Sequence, residues 1–249
     1  MNMNRTDTLY TDTLYITGAG VSAESGIPTF RGEDGYWTIG SKNYTPHEMA
    51  TRDIYQHKPA EFLAWYYHRY ATYRDYGPND VHYWLADKNL ITQNIDGLDG
   101  KAGNKNYIAI HGRLDQMTLF HNQGEDVQIL ATPWDDIDAD NFEESLFDIF
   151  NIDKQSCQSI INQSFKPFVL LFDEYYTELY RISEAEQRMQ NTGRMVFIGT
   201  SFSVNITQIA LQIAQQRNIP IEVVDPDPVK LPYDQVTYHP MRASEYIKV

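Results

Sequence analysis

Short apolar runs that end in polar or glycine residues recur along the chain and predict buried β-strands. The runs are Leu14–Thr17, Leu90–Thr92, Tyr107–Ile110, Phe168–Phe172, Met195–Ile198 and Ile221–Val224. Between them, apolar residues at helical spacing predict a helix that starts at Pro59 and others over about 81–87, 175–189 and 206–216. Strands that alternate with helices are typical of an open parallel sheet joined by right-handed crossovers. Ligands of such a sheet bind beyond the carboxyl ends of its strands.

The segment 113–165 departs from this pattern. It lacks the apolar alternation of strands over most of its length and carries the acidic block Asp135–Asp140. Its apolar stripe at helical spacing consists of Leu146, Phe147, Ile149 and Phe150. We therefore predict an α/β fold, a Rossmann-like parallel sheet with helices on both faces, plus a small, mostly helical lobe. The predicted single domain, 1–249, divides into a large lobe of about 9–36, 78–112 and 166–249 and a small lobe of about 37–77 and 113–165.

The charge balance and the cysteine count narrow the partners and the compartment. The 249 residues carry a formal net charge of -14, which disfavours nucleic acid and anionic membranes and suits a basic peptide. The single cysteine, Cys157, excludes an intramolecular disulfide and a zinc site of the usual cysteine kind. The N-terminus lacks an apolar signal core, and no apolar run approaches the ~18 residues of a membrane helix. We therefore expect a cytoplasmic protein.

A glycine turn follows the first predicted strand. Gly18, Ala19 and Gly20 lie between that strand and good helix formers, so free backbone N–H groups at the helix start favour an anion such as a pyrophosphate. This arrangement predicts a binding site for a dinucleotide, although the third glycine of the dehydrogenase fingerprint is missing. The following string, Ser25–Arg31, contains a glycine and a proline that would stop an ordinary helix.

Several stretches, in one order, resemble the sirtuins, the NAD-dependent protein deacylases. They read GAGVSAESGIPTFR from Gly18, TQNIDGL from Thr92, then Ala102-Gly103, His111-Gly112 and Gly199-Thr200-Ser201. The resemblance implies NAD as the cofactor and an acylated protein or peptide as the substrate. The cofactor-binding residues that it implies are Gly18, Ala19, Gly20, Ser22, Ser25, Ile27, Phe30, Arg31, Gln93, Ile95, Asp96, Gly199, Thr200, Ser201 and Asp225.

His111 and Asn94 are the predicted catalytic residues. Imidazole titrates near neutral pH and His111 directly follows a predicted strand, so it is a candidate general base, although a lone histidine is more often structural. The resemblance implies that His111 deprotonates a hydroxyl of the NAD ribose after the acyl-lysine oxygen has displaced nicotinamide. That hydroxyl then attacks the acyl carbon. The resemblance gives Asn94 the task of ordering the ribose hydroxyls and a water, whereas a polar residue at a strand end can also simply cap a turn.

Some positions depart from the family pattern. Asp225 stands where the family usually has an asparagine for the adenosine ribose, and Asp99 stands where it commonly has a histidine. Asp173 replaces a glycine that lies by the acyl-lysine peptide, so it bears on peptide docking. Leu119 and Asn122 occupy the places of the first zinc-ligating cysteine pair. We therefore predict no bound metal and a lobe that is held by apolar burial.

The resemblance implies an NAD-dependent protein-lysine deacylase, acting as a deacetylase or desuccinylase, that forms nicotinamide and O-acyl-ADP-ribose. An NAD hydrolase or mono-ADP-ribosyltransferase stays open, because the peptide region is altered and the zinc site is missing. A non-catalytic NAD sensor also stays open, although a pure sensor has no need for a base such as His111.

Tyr66 and Arg69 are three residues apart on the helix that starts near Pro59, so they share a face. Sirtuins that remove succinyl or malonyl groups have such a pair in the corresponding helix. The resemblance therefore implies that Tyr66 and Arg69 receive the distal carboxylate of the acyl group, since an arginine fork binds carboxylates in two-point fashion. The alternative is that both residues are structural.

Overall fold

The computed structural model describes residues 13–29, 45–124 and 126–249, and the predictions for Phe30 and Arg31 lie outside these residues. The strands are β1 (Thr13–Thr17), β2 (Asn89–Thr92), β3 (Ile108–Ala109), β4 (Gly112–Leu119), β5 (Ile129–Ala131), β6 (Ile152–Asp153), β7 (Gln158–Ser159), β8 (Phe165–Val169), β9 (Arg194–Ile198), β10 (Ile221–Val224) and β11 (Val236–His239). The helices are α1 (Ala19–Ala23), α2 (Pro46–Met49), α3 (Arg52–His57), α4 (Pro59–Tyr73), α5 (Asp80–Trp84), α6 (Leu98–Lys101), α7 (Phe142–Phe150), α8 (Ile182–Gln190), α9 (Asn205–Arg217) and α10 (Ala243–Tyr246). Within these ranges, no helix combines the length and the apolar character that crossing a membrane requires.

The main sheet has the strand order β11-β10-β9-β1-β2-β3, and each neighbouring pair is parallel. Its two faces are covered by different helices, as alternate residues of β1 illustrate. Leu14 and Ile16 pack in one apolar cluster with α8 and α9, whereas Tyr15 packs in another with α5 and α10. A strand that is buried on both faces has to be apolar throughout, which is the pattern of β1 in the sequence. The predicted α/β sheet with helices on both faces is confirmed.

The small lobe is built around an apolar cluster that joins α4 to α7. Phe62 and Tyr66 of α4, Phe150 of α7 and the intervening Trp134 are all buried there. Helix α4 begins at Pro59, a position where the missing N–H and the fixed φ of proline suit a helix start. Trp134 donates its indole N–H to the carbonyl of Leu114 (2.8 Å), so the polar atom of this large buried side chain is satisfied.

The small lobe also contains strands that the sequence pattern did not predict. β4 pairs antiparallel with β5 and β8, and β6 pairs antiparallel with β7. The segment 113–165 therefore contains short strands in addition to the helix α7, which its apolar stripe predicted. The register of β4 against β8 shifts between Arg113 and Met117, which interrupts the alternation that marks a strand. β8, which we expected in the parallel sheet, belongs to this smaller sheet because it pairs with β4.

The chain passes from the main sheet to the smaller one at His111 and Gly112. β3 ends shortly before His111, and Gly112 opens β4 with a φ of +79°. A Cβ at Gly112 would overlap the carbonyl oxygen of Phe168 in β8, so both the backbone conformation and the space require glycine. The backbone N–H of Leu170, just after β8, donates to the carbonyl of His111 (2.9 Å). His111 is thus held at the junction of the two sheets.

Candidate active site

The polar ends of five parallel strands lie along one edge of the main sheet. β1 leads into Gly18, β2 into Gln93, β3 to His111, β9 into Gly199 and β10 into Asp225. Because parallel strands present their carboxyl ends at the same edge, residues that are distant in sequence meet there.

The turns that follow β1 and β9 are in direct backbone contact. Gly20 donates its N–H to the carbonyl of Gly199 (2.9 Å), and Gly18 donates to that of Ile198 (3.0 Å). A Cβ added to Gly20 would lie 2.6 Å from the Cα of Gly199, which itself adopts a φ of +62°. The glycines therefore allow two strand-end turns to pack together, and this packing shapes the floor of the site.

Asn94, Ser22 and Asp96 form a hydrogen-bonded group between the ends of β1 and β2. The side-chain amide of Asn94 donates to the carbonyl of Gly18 (3.0 Å) and to the hydroxyl of Ser22 (3.1 Å). The Ser22 hydroxyl in turn donates to Asp96 (2.6 Å), whose other carboxylate oxygen accepts from the backbone N–H of Leu98 (2.9 Å). Asn94 and Asp96 are thereby held in fixed orientations by groups of the turn after β1, of α1 and of α6.

His111 is held by two hydrogen bonds, one on each ring nitrogen. Nδ1 is 3.0 Å from the carbonyl oxygen of Gln93, and Nε2 is 2.9 Å from the hydroxyl of Tyr176. Since a carbonyl only accepts, Nδ1 carries the proton and the lone pair lies on Nε2. Removal of the ring from water lowers the pKa of His111 to about 4, against the opposing hydrogen bond of Gln93. His111 is therefore a neutral acceptor at physiological pH.

Gln93 connects His111 to the turn after β9. Its side-chain amide nitrogen is 3.1 Å from the backbone carbonyl of Thr17 and 3.1 Å from the hydroxyl of Thr200. Ser201, the next residue, is exposed, and its hydroxyl is 2.9 Å from that of Ser203. At the end of β10, Asp225 accepts from the backbone N–H of Asp227 (2.9 Å), and burial raises its pKa.

One cavity of about 1090 Å³ unites these strand ends. The predicted site residues that line it are Gly18, Ala19, Gly20, Ser22, Ile27, Tyr66, Arg69, Gln93, Asn94, Ile95, Asp96, His111, Gly199, Thr200, Ser201 and Asp225. Ser25 lies outside the lining, and its hydroxyl accepts from the side chain of Asn79 (2.9 Å). Pockets for small ligands usually measure about 300–1,000 Å³. A cavity slightly larger than that range, with polar groups from five strand ends, suits a dinucleotide together with part of a second substrate.

Tyr66 and Arg69 line the same cavity from α4. Both side chains are buried, with 2% and 3% of their surface exposed. The guanidinium carbon of Arg69 lies 3.1 Å from the centre of the Trp65 ring, and Nη1 donates to the carbonyl of Trp65 (3.1 Å). A cation that is stacked on an aromatic ring and bordered by a cavity can also bind an anionic group.

Asp173 and Glu174 both bind Arg52, the first residue of α3. Sequence reasoning had not singled out Arg52. Asp173 accepts from the backbone N–H of Arg52 (2.8 Å), a role typical of a side chain at a helix start. Glu174 accepts from the guanidinium of Arg52 (2.7 Å) and lies 3.3 Å from Nζ of the fully buried Lys166. Asp173 thus contacts α3 and does not line the cavity, so this departure from the family pattern leaves the cavity open.

Tyr176 is a further residue at the site that the sequence did not reveal. It lines the cavity beside His111, and the two rings are stacked with centres 5.9 Å apart. With 18 tyrosines in the chain, only the folded structure distinguishes this one.

No group of three or more His, Cys, Asp or Glu side chains is placed to hold a metal ion in the part of the chain that the structure describes. The region of the missing cysteines is filled in another way. Phe120 is buried against Tyr55, with ring centres 4.4 Å apart, and Asn122 accepts from the backbone N–H of Gly124 (3.0 Å). The residues that are present therefore do not fit a structural zinc ion.

The parallel sheet, the two glycine turns in backbone contact and the neutral histidine at the sheet edge define an α/β nucleotide-binding protein. The model of the Sir2 family matches residues 18–206, most of the chain. The chain belongs to the Sir2 family, the sirtuins.

Curated relatives and solved structures agree with this assignment. An "NAD-dependent protein deacylase" of Leptospira interrogans is 31% identical over 222 residues, 85% of this chain and 80% of the relative. "NAD-dependent protein deacylase 1" of Caldanaerobacter subterraneus is 31% identical over 94% of this chain and 90% of its own length. The crystal structure of a Sir2 homologue with NAD superposes with a TM-score of 0.73 at 28% identity, covering 96% of this chain and 88% of the homologue.

Proposed function

We propose that this sirtuin is an NAD-dependent protein-lysine deacylase that releases nicotinamide and forms O-acyl-ADP-ribose. The observation that carries the proposal is the environment of His111. The carbonyl of Gln93 fixes its tautomer and leaves the lone pair on Nε2, and His111 lines the same cavity as Asn94 and Asp96. A neutral imidazole whose unprotonated nitrogen is an acceptor is suited to act as a general base.

NAD would supply the ribosyl group. The acyl oxygen of the substrate would form a bond to the ribosyl carbon as the bond from that carbon to nicotinamide breaks. We assign His111 to hold the proton that the ribose hydroxyl gives up, at Nε2. Asn94 would orient the ribose hydroxyls, because its amide is already fixed by Gly18 and Ser22. Ile95 and Asp96 would hold the nicotinamide carboxamide.

The remaining cofactor contacts follow the strand ends. We assign the phosphates and the ribose units to Gly18, Ala19, Gly20, Ser22, Ile27, Gln93, Gly199, Thr200, Ser201 and Asp225, with Ser25 behind them. Phe30 and Arg31 remain sequence-based assignments. Asp225, whose carboxylate lines the cavity, can accept hydrogen bonds from ribose hydroxyls as acidic residues do in other dinucleotide folds.

For the acyl group, we propose that Arg69 and Tyr66 receive the distal carboxylate of a dicarboxylic acyl chain. Both are buried at the wall of the cavity, where a charge-assisted bond to a carboxylate is strengthened by the exclusion of water. For the protein substrate, the net charge of -14 supports a basic peptide over nucleic acid. A cytoplasmic location, and the absence of a membrane partner, remain predictions.

The test is mass spectrometry of the products from NAD with acetyl-lysine and succinyl-lysine peptides. The wild type is expected to release nicotinamide and O-acyl-ADP-ribose only when an acyl peptide is present. His111→Ala should lower turnover by about 100-fold or more, the usual contribution of a general base, while ADP-ribose still binds. Free ADP-ribose formed without any peptide would instead identify an NAD hydrolase, and NAD binding without turnover would identify a sensor.

The same assay tests the acyl pocket. Arg69→Met keeps much of the length of the side chain and removes its charge, so desuccinylation should fall by about tenfold or more while deacetylation changes little. An equal loss on both peptides would make the pair structural.

A further inference from the structure

The base that the proposed function needs is already hydrogen-bonded inside the protein. The hydroxyl of Tyr176 is 2.9 Å from Nε2 of His111, and the two ring planes differ by only 18°. Tyr176 lies in the stretch 170–177, between β8 and the short 3₁₀ turn Glu178–Tyr180. It is part of the cavity lining, so a ligand in the cavity meets this hydrogen bond.

The direction of the hydrogen bond follows from the other side of the ring. The carbonyl of Gln93 requires a proton on Nδ1, so Nε2 carries the lone pair and the phenol is the donor. Burial raises the pKa of Tyr176 to about 12, against an opposing hydrogen bond from the backbone of Ile206. The phenol therefore keeps its proton at neutral pH, and the contact is one between two uncharged groups.

An imidazole nitrogen has a single lone pair and accepts one strong hydrogen bond. A ribose hydroxyl that transfers its proton to Nε2 must bond to that same lone pair. We propose that Tyr176 is a further active-site residue, an internal ligand of the base that the ribose hydroxyl of NAD displaces when it binds. The proposal rests on the role of His111 under the proposed function.

The surroundings of Tyr176 permit this exchange. The preceding residues are fixed, since Phe172 donates its backbone N–H to Ala50 (3.0 Å) and Asp173 is bound to α3. Residues 175–177 belong to no helix or strand, and the side chain of Tyr175 is 86% exposed. The phenol can therefore yield Nε2 by a rotation or a short shift that also loosens its hydrogen bond with the backbone of Ile206, without unfolding an element.

The exchange predicts that the phenol weakens the binding of the nucleotide. Tyr176→Phe keeps the ring and removes the competing donor, together with the acceptor of the hydrogen bond from the Ile206 backbone. Tyr83→Phe, at an exposed tyrosine of α5, is the matched control. We expect Tyr176→Phe to lower the Kd for ADP-ribose in calorimetry, and the KM for NAD, by about three- to tenfold, the range of one net neutral hydrogen bond. The kcat should stay within about twofold, because the phenol has already left Nε2 in the reactive complex. Tyr83→Phe should match the wild type.

Several outcomes would overturn the exchange. An unchanged or higher Kd for ADP-ribose in Tyr176→Phe would exclude competition, and a tenfold loss of kcat at constant KM would mean that the phenol takes part in the chemistry. Thermal melting checks that each variant folds, and Tyr176→Leu, which also lacks the donor, serves the same test if the phenylalanine variant does not fold. A wild type that neither binds ADP-ribose nor releases nicotinamide would refute the proposed function as well. An active wild type with an unaffected variant would refute the exchange alone.

Discussion

Asp99 is a buried carboxyl next to the candidate site, in α6, with 2% of its surface exposed. One of its oxygens, Oδ1, has no hydrogen-bond partner. Burial, and secondarily the nearby Asp96, raises its pKa from an ordinary value of 3.8 to about 7, against an opposing hydrogen bond from Thr92. Between pH 4 and 7 the folded protein therefore keeps a proton that the unfolded chain releases.

The free energy of unfolding contains a contribution from Asp99 that is complete below about pH 4 and is lost as the pH rises through 7, because the folded state binds the extra proton. Asp99→Asn stays uncharged at the same size, so it should gain stability relative to the wild type by on the order of 2 kcal/mol at pH 5, rising to about 4 kcal/mol at pH 8. Urea unfolding at a series of pH values measures this difference. The exposed Asp234→Asn is the control, and a pH-independent difference for Asp99→Asn would contradict the assignment.

The roles of single residues were only partly accessible from the sequence. The positions of His111 and Asn94 after predicted strands are local information, and the resemblance to the sirtuins assigned roles to both and to Asp96. Tyr176 could not be marked, since its only distinction is a contact with a side chain 65 positions away. The sequence did not tell whether Asp173 obstructs the peptide cleft. Asp173 binds the start of α3, and the position of α3 is not given by the local sequence pattern.

At the scale of elements, α3 is tied to the stretch after β8 by a buried charge cluster. The side chains of Glu174 and Lys166 are fully buried, and Arg52 also donates to the carbonyl of Phe120 (2.8 Å) at the end of β4. Burial alone would raise the pKa of Glu174. The pKa is nevertheless lowered, by the charge of Lys166, the backbone N–H of Leu171 and the guanidinium of Arg52. Glu174 is thus ionised and joins the end of β4, β8 and α3.

Removing one member of this cluster leaves the others buried without their counter-charge. Glu174→Gln should therefore lower the free energy of unfolding by about 3–5 kcal/mol, as is typical of broken buried ion pairs. Glu184→Gln is the matched control, because its ion pairs with Arg181 and Arg188 are partly exposed and should be worth about 1 kcal/mol or less. Urea unfolding of both variants gives the comparison. A loss for Glu174→Gln no greater than that of the control would show that apolar packing alone holds these elements.

The elements differ in how far the sequence could predict them, and the reason is burial. β1, β9 and β10 lie inside the main sheet, where both faces are covered, so most of their residues are apolar and buried. β11 is an edge strand whose residues are partly exposed, and the short β6 and β7 exist through their pairing with each other. Such strands form because they pair with other segments of the fold, and the local pattern of apolar residues does not predict them.

For the molecule as a whole, we predict stability and activity without a metal ion. The small lobe is held by the cluster around Trp134 and Phe150 and by the charges at Arg52 and Glu174. Dialysis against a chelator should leave the melting temperature and the nicotinamide release unchanged, and elemental analysis should find only substoichiometric zinc. Stoichiometric zinc, with a loss of activity when it is removed, would contradict this prediction.

The junction at His111 has a mechanical consequence. The strand that leaves the main sheet and the segment that returns from β8 are hydrogen-bonded to each other there, through Leu170 and the carbonyl of His111. A tilt of one sheet against the other about this junction would displace atoms in proportion to their distance from it. The rim of the cavity would move furthest and the imidazole least. The cleft would thus widen for a bulky peptide while the imidazole of His111 keeps its orientation.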